Sequence, residues 1–310
     1  MRFEALRVEN ENISFQNRAR ILDVKLIGKA CTIFEKMRMT KNAVKGDGMK
    51  SVLITGASGG MGRAAAEHYV EGGYTVFALD VRACEVGGVI PIVADVTSEE
   101  SLAAAHAEVE KYTQRLDAIV HFAGIYMLDS LLEMDSTAFD RIFSVNLRGV
   151  FLVNKLFCDF LGVGSKILIT TSELAPLDPL PFTGIYAVTK GALDKYAYSL
   201  RMEMQLLGID VSVLRAGAVD TGMLGVSTEA LEKFCEKTKI YKCNSKRFKS
   251  VVDRVEARCV SPRKIAEKSL AIIKKRKSKF AYCINRNPLL LMLNALPKRM
   301  QLWIIRVILR

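Results

Sequence analysis

Short runs of apolar residues alternate with longer amphipathic stretches between residue 49 and about residue 284. The apolar runs predict strands at 51–55, 75–79, 89–93, 118–122, 166–170 and 210–214, with an edge strand at 280–284. The stretches between them predict helices that begin at Gly62 and Ser98 and helices that cover about 137–161 and 186–207. Strands that alternate with helices in this way form parallel βαβ units with right-handed crossovers. The sequence therefore predicts an α/β fold, a doubly wound parallel sheet with helices on both faces.

The same pattern divides the chain into three parts. The expected parts are an N-terminal extension of unknown role at 1–48, the α/β domain at 49–284, and a tail at 285–310. No stretch reaches the roughly 18 uncharged apolar residues that cross a bilayer, so no spanning helix is predicted. Charged residues interrupt the first eleven positions, and we therefore expect no secretion signal.

Composition and charge add one distinction. Half of the 310 residues are hydrophobic and a quarter are charged, as in globular proteins that bury a sizeable core. The net charge of +12 is unevenly distributed: +4 in residues 1–48, −10 in 49–232 and +18 in 233–310. The basic C-terminal quarter indicates either contact with an anionic surface or a solvated basic face.

Cysteine and histidine usage indicates a reducing compartment and no metal. The seven cysteines include no C-x-x-C pair, and their odd number suits reduced thiols in the cytoplasm. The three histidines form no cluster with cysteines, so no metal site is predicted.

A glycine-rich run follows the first strand and opens the first helix, and it reads Thr55-Gly56-Ala57-Ser58-Gly59-Gly60-Met61-Gly62. Glycines allow the backbone to approach a pyrophosphate, whose charge is favoured at a helix N-terminus. Asp80 ends the second strand, where a carboxylate accepts the ribose hydroxyls of NAD and repels the extra phosphate of NADP. We therefore expect NAD as the cofactor, with NADP as the alternative because Arg82 is near.

A second group of residues could transfer a proton. Tyr186 and Lys190 are four positions apart on a predicted helix, so their side chains share one face. A cation beside a phenol lowers the phenol pKa, which suits a proton donor and acceptor for an alcohol and ketone pair. Ser172, just after the fifth strand, could reach the same point, and Asn146 lies on the preceding helical region. The alternative is that a tyrosine and a lysine have this spacing on a helix by chance and have no catalytic role.

Taken together, these residues resemble the short-chain dehydrogenase/reductase family over about residues 49–284. The matching pieces are the glycine run, Asp80, Asp95-Val96, His121-Phe122-Ala123-Gly124, Asn146, Ser172, Tyr186-x-x-x-Lys190 and Arg215-Ala216-Gly217 through Thr221. The resemblance implies a Rossmann-type fold, an NAD(P)-dependent enzyme and a homodimer formed through the helices at about 137–161 and 186–207. The chain departs from the family pattern where His121 and Phe122 replace two asparagines and where Ala216 replaces a proline.

The resemblance also implies a role for each matching residue. Tyr186 would be the general acid and base, and Lys190 would lower its pKa and hold the nicotinamide ribose. Ser172 would orient the substrate oxygen, and Asn146 would hold a water in the proton relay. The remaining cofactor contacts would come from Thr55, Gly56, Ser58, Gly59, Gly60, Met61, Gly62, Asp80, Asp95, Val96, Ala123, Gly124, Gly217, Val219 and Thr221.

Residues 222–260 are the expected lid over the substrate pocket. Leu231 and Phe234 are among its apolar residues and favour a lipophilic substrate, whereas the alternative is that they simply pack on the sheet. The tail resembles that of the hydroxysteroid and retinol dehydrogenase branch. We therefore expect interconversion of a secondary alcohol and a ketone on a steroid- or retinoid-like molecule. The alternative is a catalytically silent Rossmann-fold binding or regulatory protein.

The tail combines apolar residues with five basic ones and has no acidic residue; the basic residues are Arg286, Lys298, Arg299, Arg306 and Arg310. Basic residues that flank tryptophan and aliphatic side chains are typical of a helix at a membrane surface. A second interpretation is that Leu302, Ile305 and Leu309 pack on the domain or on a partner subunit. Nucleic-acid binding is the weakest alternative because no recognition motif accompanies the charge.

Overall fold

The structure is a computed structural model that describes residues 50–255 and 259–310. The strands are β1 (Ser51–Thr55), β2 (Thr75–Asp80), β3 (Val89–Val93), β4 (Ala118–His121), β5 (Lys166–Ser172), β6 (Asp210–Ala216) and β7 (Ala281–Ile284). The helices are α1 (Gly60–Glu71), α2 (Glu99–Glu110), α3 (Ser136–Phe143), α4 (Gly149–Leu156), α5 (Gly184–Met204), α6 (Gly222–Lys237), α7 (Lys242–Val255), α8 (Pro262–Ile273), α9 (Pro288–Ala295) and α10 (Lys298–Leu309). The expected extension at 1–48 and residues 256–258 of the expected lid lie outside the described residues.

Within the described ranges, the seven strands form one parallel sheet in the order β3-β2-β1-β4-β5-β6-β7. Helices cover both faces, and β1 shows why. Its side chains alternate, so that Val52 and Ile54 pack with Tyr69 of α1, whereas Leu53 packs with Leu102 of α2 on the other face. The prediction of a doubly wound α/β fold with a Rossmann-type sheet is confirmed.

The strand order reverses between β1 and β4, and this switch point determines where a ligand can bind. Gly56 follows β1 with φ +71°, and a Cβ there would lie 2.5 Å from the backbone nitrogen of Ala123. Only glycine fits this close approach without displacing the backbone after β4. The glycine run and the residues after β4 are therefore packed together at the carboxyl edge of the sheet.

The helix predicted over 137–161 is interrupted. Residues Ser144–Arg148 form a π-helical turn between α3 and α4, and a 3₁₀ turn at Cys158–Phe160 follows α4. The start of α2 agrees with the prediction, because the Ser101 backbone N–H donates to the Ser98 hydroxyl at 3.1 Å.

The two tail helices follow β7, and α10 lies against α6 and α7, the helices of the expected lid. Ile305 and Leu309 pack in an apolar cluster with Phe234 of α6 and Phe248 of α7, and the Asn244 amide donates to the Leu309 carbonyl at 2.6 Å. The packing interpretation holds for Ile305 and Leu309. Leu302 does not pack on the domain, because its side chain is 68% exposed, and its packing on a partner subunit stays a prediction. No helix in the described part of the chain is long and apolar enough to cross a membrane.

Candidate functional site

The residues predicted to bind cofactor and substrate are brought to one edge of the sheet. Following the strands in chain order, they are Thr55 to Gly62 after β1, Asp80 at the end of β2, Asp95 and Val96 after β3, Ala123 and Gly124 after β4, Ser172 at the end of β5, and Gly217, Val219 and Thr221 after β6. Asn146 lies on the π-helical turn, and Tyr186 and Lys190 lie on the first two turns of α5. All of them therefore lie at the edge where this fold class holds ligands.

The start of α1 has the properties of an anion site. Its N-cap is Gly59, which offers no side-chain cap, and the first turn has no acidic residue. A Cβ at Gly62 would lie 2.0 Å from the Gly56 carbonyl oxygen, and one at Gly60 would lie 2.7 Å from Thr221 Cβ. Glycine is therefore required where the loop, the helix and the segment after β6 meet. The unpaired N–H groups of the first turn fit the pyrophosphate of a dinucleotide.

Asp80 is fixed beside this loop. Its carboxylate accepts the backbone N–H of Ser58 at 2.9 Å and that of Arg82 at 3.3 Å, while the Ser58 hydroxyl donates to the Arg82 carbonyl at 2.9 Å. Each carboxylate oxygen keeps a lone pair for another donor. The arrangement fits the diol of an adenosine ribose. Arg82 is an exposed cation two residues away.

The residues after β3 have different surroundings from each other. Asp95 is exposed, and its carboxylate accepts the backbone N–H and the hydroxyl of Thr97, both at 2.8 Å. Val96 is buried against the start of α4, where a Cβ at Gly149 would lie 2.8 Å from a Val96 methyl. Asp95 is therefore available at the surface of the cofactor edge, whereas Val96 contributes packing.

Ser172, Tyr186 and Lys190 lie close together at the ends of β5 and α5. The Ser172 hydroxyl is near enough to the Tyr186 hydroxyl to lower the pKa of the phenol, and the Lys190 ammonium donates to the Thr170 carbonyl at 3.2 Å. Lys190 Nζ is 5.7 Å from the centre of the Tyr186 ring. The Tyr126 ring also contacts Tyr186, with the two ring centres 4.9 Å apart. The phenol is thus held between a hydroxyl, a cation and an aromatic wall.

Burial controls the protonation of this group. It raises the pKa of Tyr186 to about 12, and the nearby Ser172 hydroxyl opposes this only in part. Burial also lowers the pKa of Lys190 to about 8. Desolvation is the largest influence on the Tyr186 pKa in this structure, and the expected lowering of that pKa by Lys190 stays a prediction. At neutral pH the phenol carries its proton and the amine is largely charged.

Asn146 is completely buried in the π-helical turn. Its side-chain oxygen accepts the Ile125 N–H at 2.8 Å, and its amide donates to the Ile125 carbonyl at 3.0 Å and to the Thr189 hydroxyl at 3.2 Å. A Cβ at Gly124 would lie 3.3 Å from the Asn146 oxygen and 3.4 Å from Lys190 Nζ. Asn146 therefore links the segment after β4 to α5, and it lies beside Gly124, which is also next to the Lys190 ammonium.

Sequence reasoning missed two residues of this region. Tyr126 follows Gly124 after β4, so its position at the carboxyl end of a central strand could have identified it. Glu173 follows Ser172, and one of its oxygens accepts the Asn287 backbone N–H at 2.6 Å. Burial raises the pKa of the Glu173 carboxyl. Glu173 ties the start of the tail to the strand that carries Ser172.

His121 is buried at the end of β4, outside this group. Its ring is hydrogen-bonded to the Asn154 side chain at 3.0 Å, and burial lowers its pKa to about 4. It is therefore neutral at physiological pH and serves strand packing. Within residues 50–255 and 259–310, no group of three or more His, Cys, Asp or Glu side chains could hold a metal ion.

Comparison with known proteins gives one consistent result. The model of the short chain dehydrogenase family matches residues 50–232. An NADPH-dependent 1-acyldihydroxyacetone phosphate reductase of Schizosaccharomyces pombe is 30% identical over 192 residues, 58% of this chain and 65% of that protein. Estradiol 17-beta-dehydrogenase 2 of Mus musculus is 29% identical over 217 residues, 64% of this chain and 56% of that protein.

The matched region spans about three fifths of the length of these curated relatives. Among solved structures, a short chain dehydrogenase family protein from Francisella tularensis superimposes with a TM-score of 0.65 at 21% identity. The superposition covers 76% of this chain and 97% of that protein, and it shows a common fold.

Proposed function

Because the chain belongs to the short-chain dehydrogenase family, we propose that it is an NAD(P)-dependent oxidoreductase that interconverts a secondary alcohol and a ketone. The observation that carries the proposal is the grouping of Ser172, Tyr186 and Lys190 beside a capless glycine-rich helix start. A family member that only binds a nucleotide would not need a half-buried phenol with a serine hydroxyl and a lysine beside it. The alternative remains a catalytically silent binding or regulatory protein.

In the reduction direction, Tyr186 is the general acid. Its hydroxyl is protonated at neutral pH and donates its proton to the carbonyl oxygen, while the Ser172 hydroxyl donates a hydrogen bond to that oxygen. The Lys190 cation stabilises the negative charge that then develops on the phenol oxygen. In the oxidation direction, the Tyr186 phenol first loses its proton to water, and the resulting phenolate, stabilised by the Lys190 cation, then accepts the alcohol proton. A nicotinamide cofactor held at this edge of the sheet would supply or accept the hydride.

The dinucleotide is held by the residues at the carboxyl edge, and NAD is the favoured form. The glycine run and the start of α1 take the pyrophosphate. Asp80 takes the ribose hydroxyls and repels the 2′-phosphate of NADP. Two observations favour NADP instead: one relative is NADPH-dependent, and Arg82 is an exposed cation two residues from Asp80.

A lipophilic substrate, steroid- or retinoid-like, fits the surroundings of Tyr186. Tyr126 contacts the Tyr186 ring and also packs against an apolar cluster under the lid that includes Leu128, Phe234 and Phe248. Apolar walls with a few polar groups are typical of pockets for such molecules. Two relatives are named for estradiol and for 1-acyldihydroxyacetone phosphate.

We extend the proposal to the setting of the enzyme, which is a cytoplasmic homodimer that contacts a membrane surface peripherally. Exposed apolar side chains on α3, α4 and α5 support pairing of two copies, and they include Phe139, Phe151, Val188, Tyr198 and Met202. The exposed apolar and basic side chains of α10 support membrane contact.

The test is oxidation of NADH and NADPH with a panel of lipophilic ketones, using wild type and Tyr186→Phe. We expect turnover by wild type and a loss of about 10²-fold or more in the variant, because the proton donor is removed. Thermal unfolding of both proteins checks that the variant is folded. Equal turnover would contradict the role of Tyr186, whereas nucleotide binding with no turnover of the panel would favour the silent binding protein.

A further inference from the structure

A groove lies between the lid, the tail and the loop after β4. It has a volume of about 540 Å³, which is in the range of sites for drug-sized ligands. Most of its lining is apolar and comes from Leu131, Leu132, Phe182, Tyr241, Ile305 and Leu309. Leu131 and Leu132 are 61% and 77% exposed, so an apolar ligand there would remove side chains from water that the fold leaves uncovered.

The rim of the groove is cationic. Arg306 and Arg310 line it from α10, and no Asp or Glu side chain lines it in the described part of the chain. The carboxylates closest in sequence to its leucines are engaged elsewhere. Asp129 pairs with Lys237 at 2.9 Å, and Glu133 accepts the Thr238 hydroxyl and backbone N–H groups of the turn between α6 and α7.

The wall of the groove is held in an unusual backbone conformation. Phe182 has φ +66°, a left-handed value that bulky residues rarely adopt, and its neighbours maintain it. Its carbonyl accepts the Asp129 N–H at 3.0 Å, and its ring contacts Phe234 and Tyr241 with ring centres 4.7 and 5.3 Å away. The Phe182 ring thus lines the groove and is held by these aromatic contacts.

We infer that the groove binds a single-chain anionic amphiphile, such as a fatty carboxylate or an alkyl phosphate. The apolar chain lies on the leucines, Phe182 and Tyr241, and the anionic head is held by Arg306 and Arg310. Guanidinium groups bind carboxylate and phosphate in a bidentate, charge-assisted manner. The binding needs neither cofactor nor turnover, so it stands apart from the proposed oxidoreductase activity. The ligand comes either from solution or from a lipid surface that the tail contacts.

The binding is measured directly, because the only tryptophan, Trp303, does not line the groove. The experiment is an isothermal titration of the full chain with dodecanoate and dodecyl phosphate below their critical micelle concentrations. Dodecyltrimethylammonium, which has the same chain with a cationic head, is the matched control. We expect saturable binding of the anions and affinity at least about tenfold weaker for the cation.

Variants locate the site. Arg306→Gln combined with Arg310→Gln is expected to weaken dodecanoate binding by about tenfold or more, and Leu132→Ser is expected to weaken it for both heads. Arg299→Gln is the matched control, because this exposed arginine is on α10 but does not line the groove. Thermal unfolding verifies that each variant is folded.

The outcomes separate the alternatives. Equal affinity for the anionic and the cationic amphiphile would contradict the proposed site. So would a loss of affinity in Arg299→Gln as large as that in the Arg306 and Arg310 variant, because binding would then depend on the general positive charge of the tail and not on the groove. A response to anionic phospholipid vesicles but not to dodecanoate would also overturn it, since the contact would then be with a lipid surface rather than with one chain. If the protein binds dodecanoate but turns over no ketone, the proposed groove site is supported and only the proposed oxidoreductase activity is contradicted.

Discussion

Arg215 on β6 and Asp194 on α5 form a bidentate ion pair, with Nε to Oδ1 at 3.0 Å and Nη2 to Oδ2 at 2.6 Å. The Thr171 hydroxyl donates to the same Asp194 oxygen at 3.3 Å. Asp194 lies one turn after Lys190, and Thr171 precedes Ser172. These contacts therefore hold α5, the helix that carries Tyr186 and Lys190, against β5 and β6.

Arg215→Leu is expected to lower the free energy of unfolding by about 3 kcal/mol, because it leaves the largely buried Asp194 carboxylate without its partner. The double variant Arg215→Leu with Asp194→Leu is expected to lose much less than the sum of the two single variants. Urea unfolding of all three proteins measures the coupling. Additive losses would mean that the two side chains stabilise the fold independently.

Acid sensitivity is expected from His121. Its folded pKa of about 4 is below its unfolded value, so between about pH 6.5 and 4 the unfolded chain binds more protons and stability falls as pH falls. From about pH 7.5 to 5 this amounts to about 2 kcal/mol of the free energy of unfolding. His121→Asn cannot titrate, and its amide can still bond Asn154. Urea unfolding at both pH values should show a smaller drop in the variant; parallel drops would contradict the assignment.

The strands could be predicted from the sequence because buried parallel strands are continuous apolar runs. β5 shows this: Ile167, Leu168 and Ile169 are all fully buried. The positions of Tyr186 and Lys190 also followed from spacing on one helix. The interruption at Ser144–Arg148 did not, because it depends on Asn146 bonding to the backbone of Ile125, which is remote in sequence.

The pKa of Tyr186 and the arrangement of the tail were beyond sequence reasoning for a related reason. The phenol pKa depends on how much water the fold removes from around it, and no residue spacing reports this quantity. Likewise, Leu302 and Leu309 are both apolar residues of α10, but only Leu309 faces the lid cluster. Their difference follows from the packing of one helix face, which is known only when the lid is placed.

The proposed preference for NAD over NADP is expected to depend on the charge of Asp80. Asp80→Asn keeps an oxygen that can accept the Ser58 N–H, but it removes the negative charge that faces the 2′-phosphate. We expect the affinity for NADP to rise relative to NAD by on the order of tenfold. Fluorescence titration of both nucleotides measures the ratio. Arg82→Gln is the companion variant and should weaken NADP alone; an unchanged ratio in Asp80→Asn would mean that Asp80 does not face the phosphate.

Membrane contact is expected from the outward face of α10. Leu302 and Trp303 are 68% and 65% exposed, and Arg299 and Arg306 on the same helix are exposed as well. Each basic residue near an anionic surface contributes about 1 kcal/mol, and the apolar side chains enter the interface. We expect the full chain to float with anionic vesicles and not with neutral ones. Leu302→Ser combined with Trp303→Ala should reduce flotation without loss of stability.

Truncation after Arg286 is the less selective comparison, because it also removes Leu309 from the lid cluster. A truncated chain that stays out of the floating fraction therefore shows the membrane role only if its thermal unfolding is unchanged. High salt gives an independent check, since screening weakens the basic residues and leaves the packing of Ile305 and Leu309 intact. If the full chain and the double variant both stay at the bottom of the gradient at low salt, α10 serves to hold the lid and its outward face is not a membrane contact.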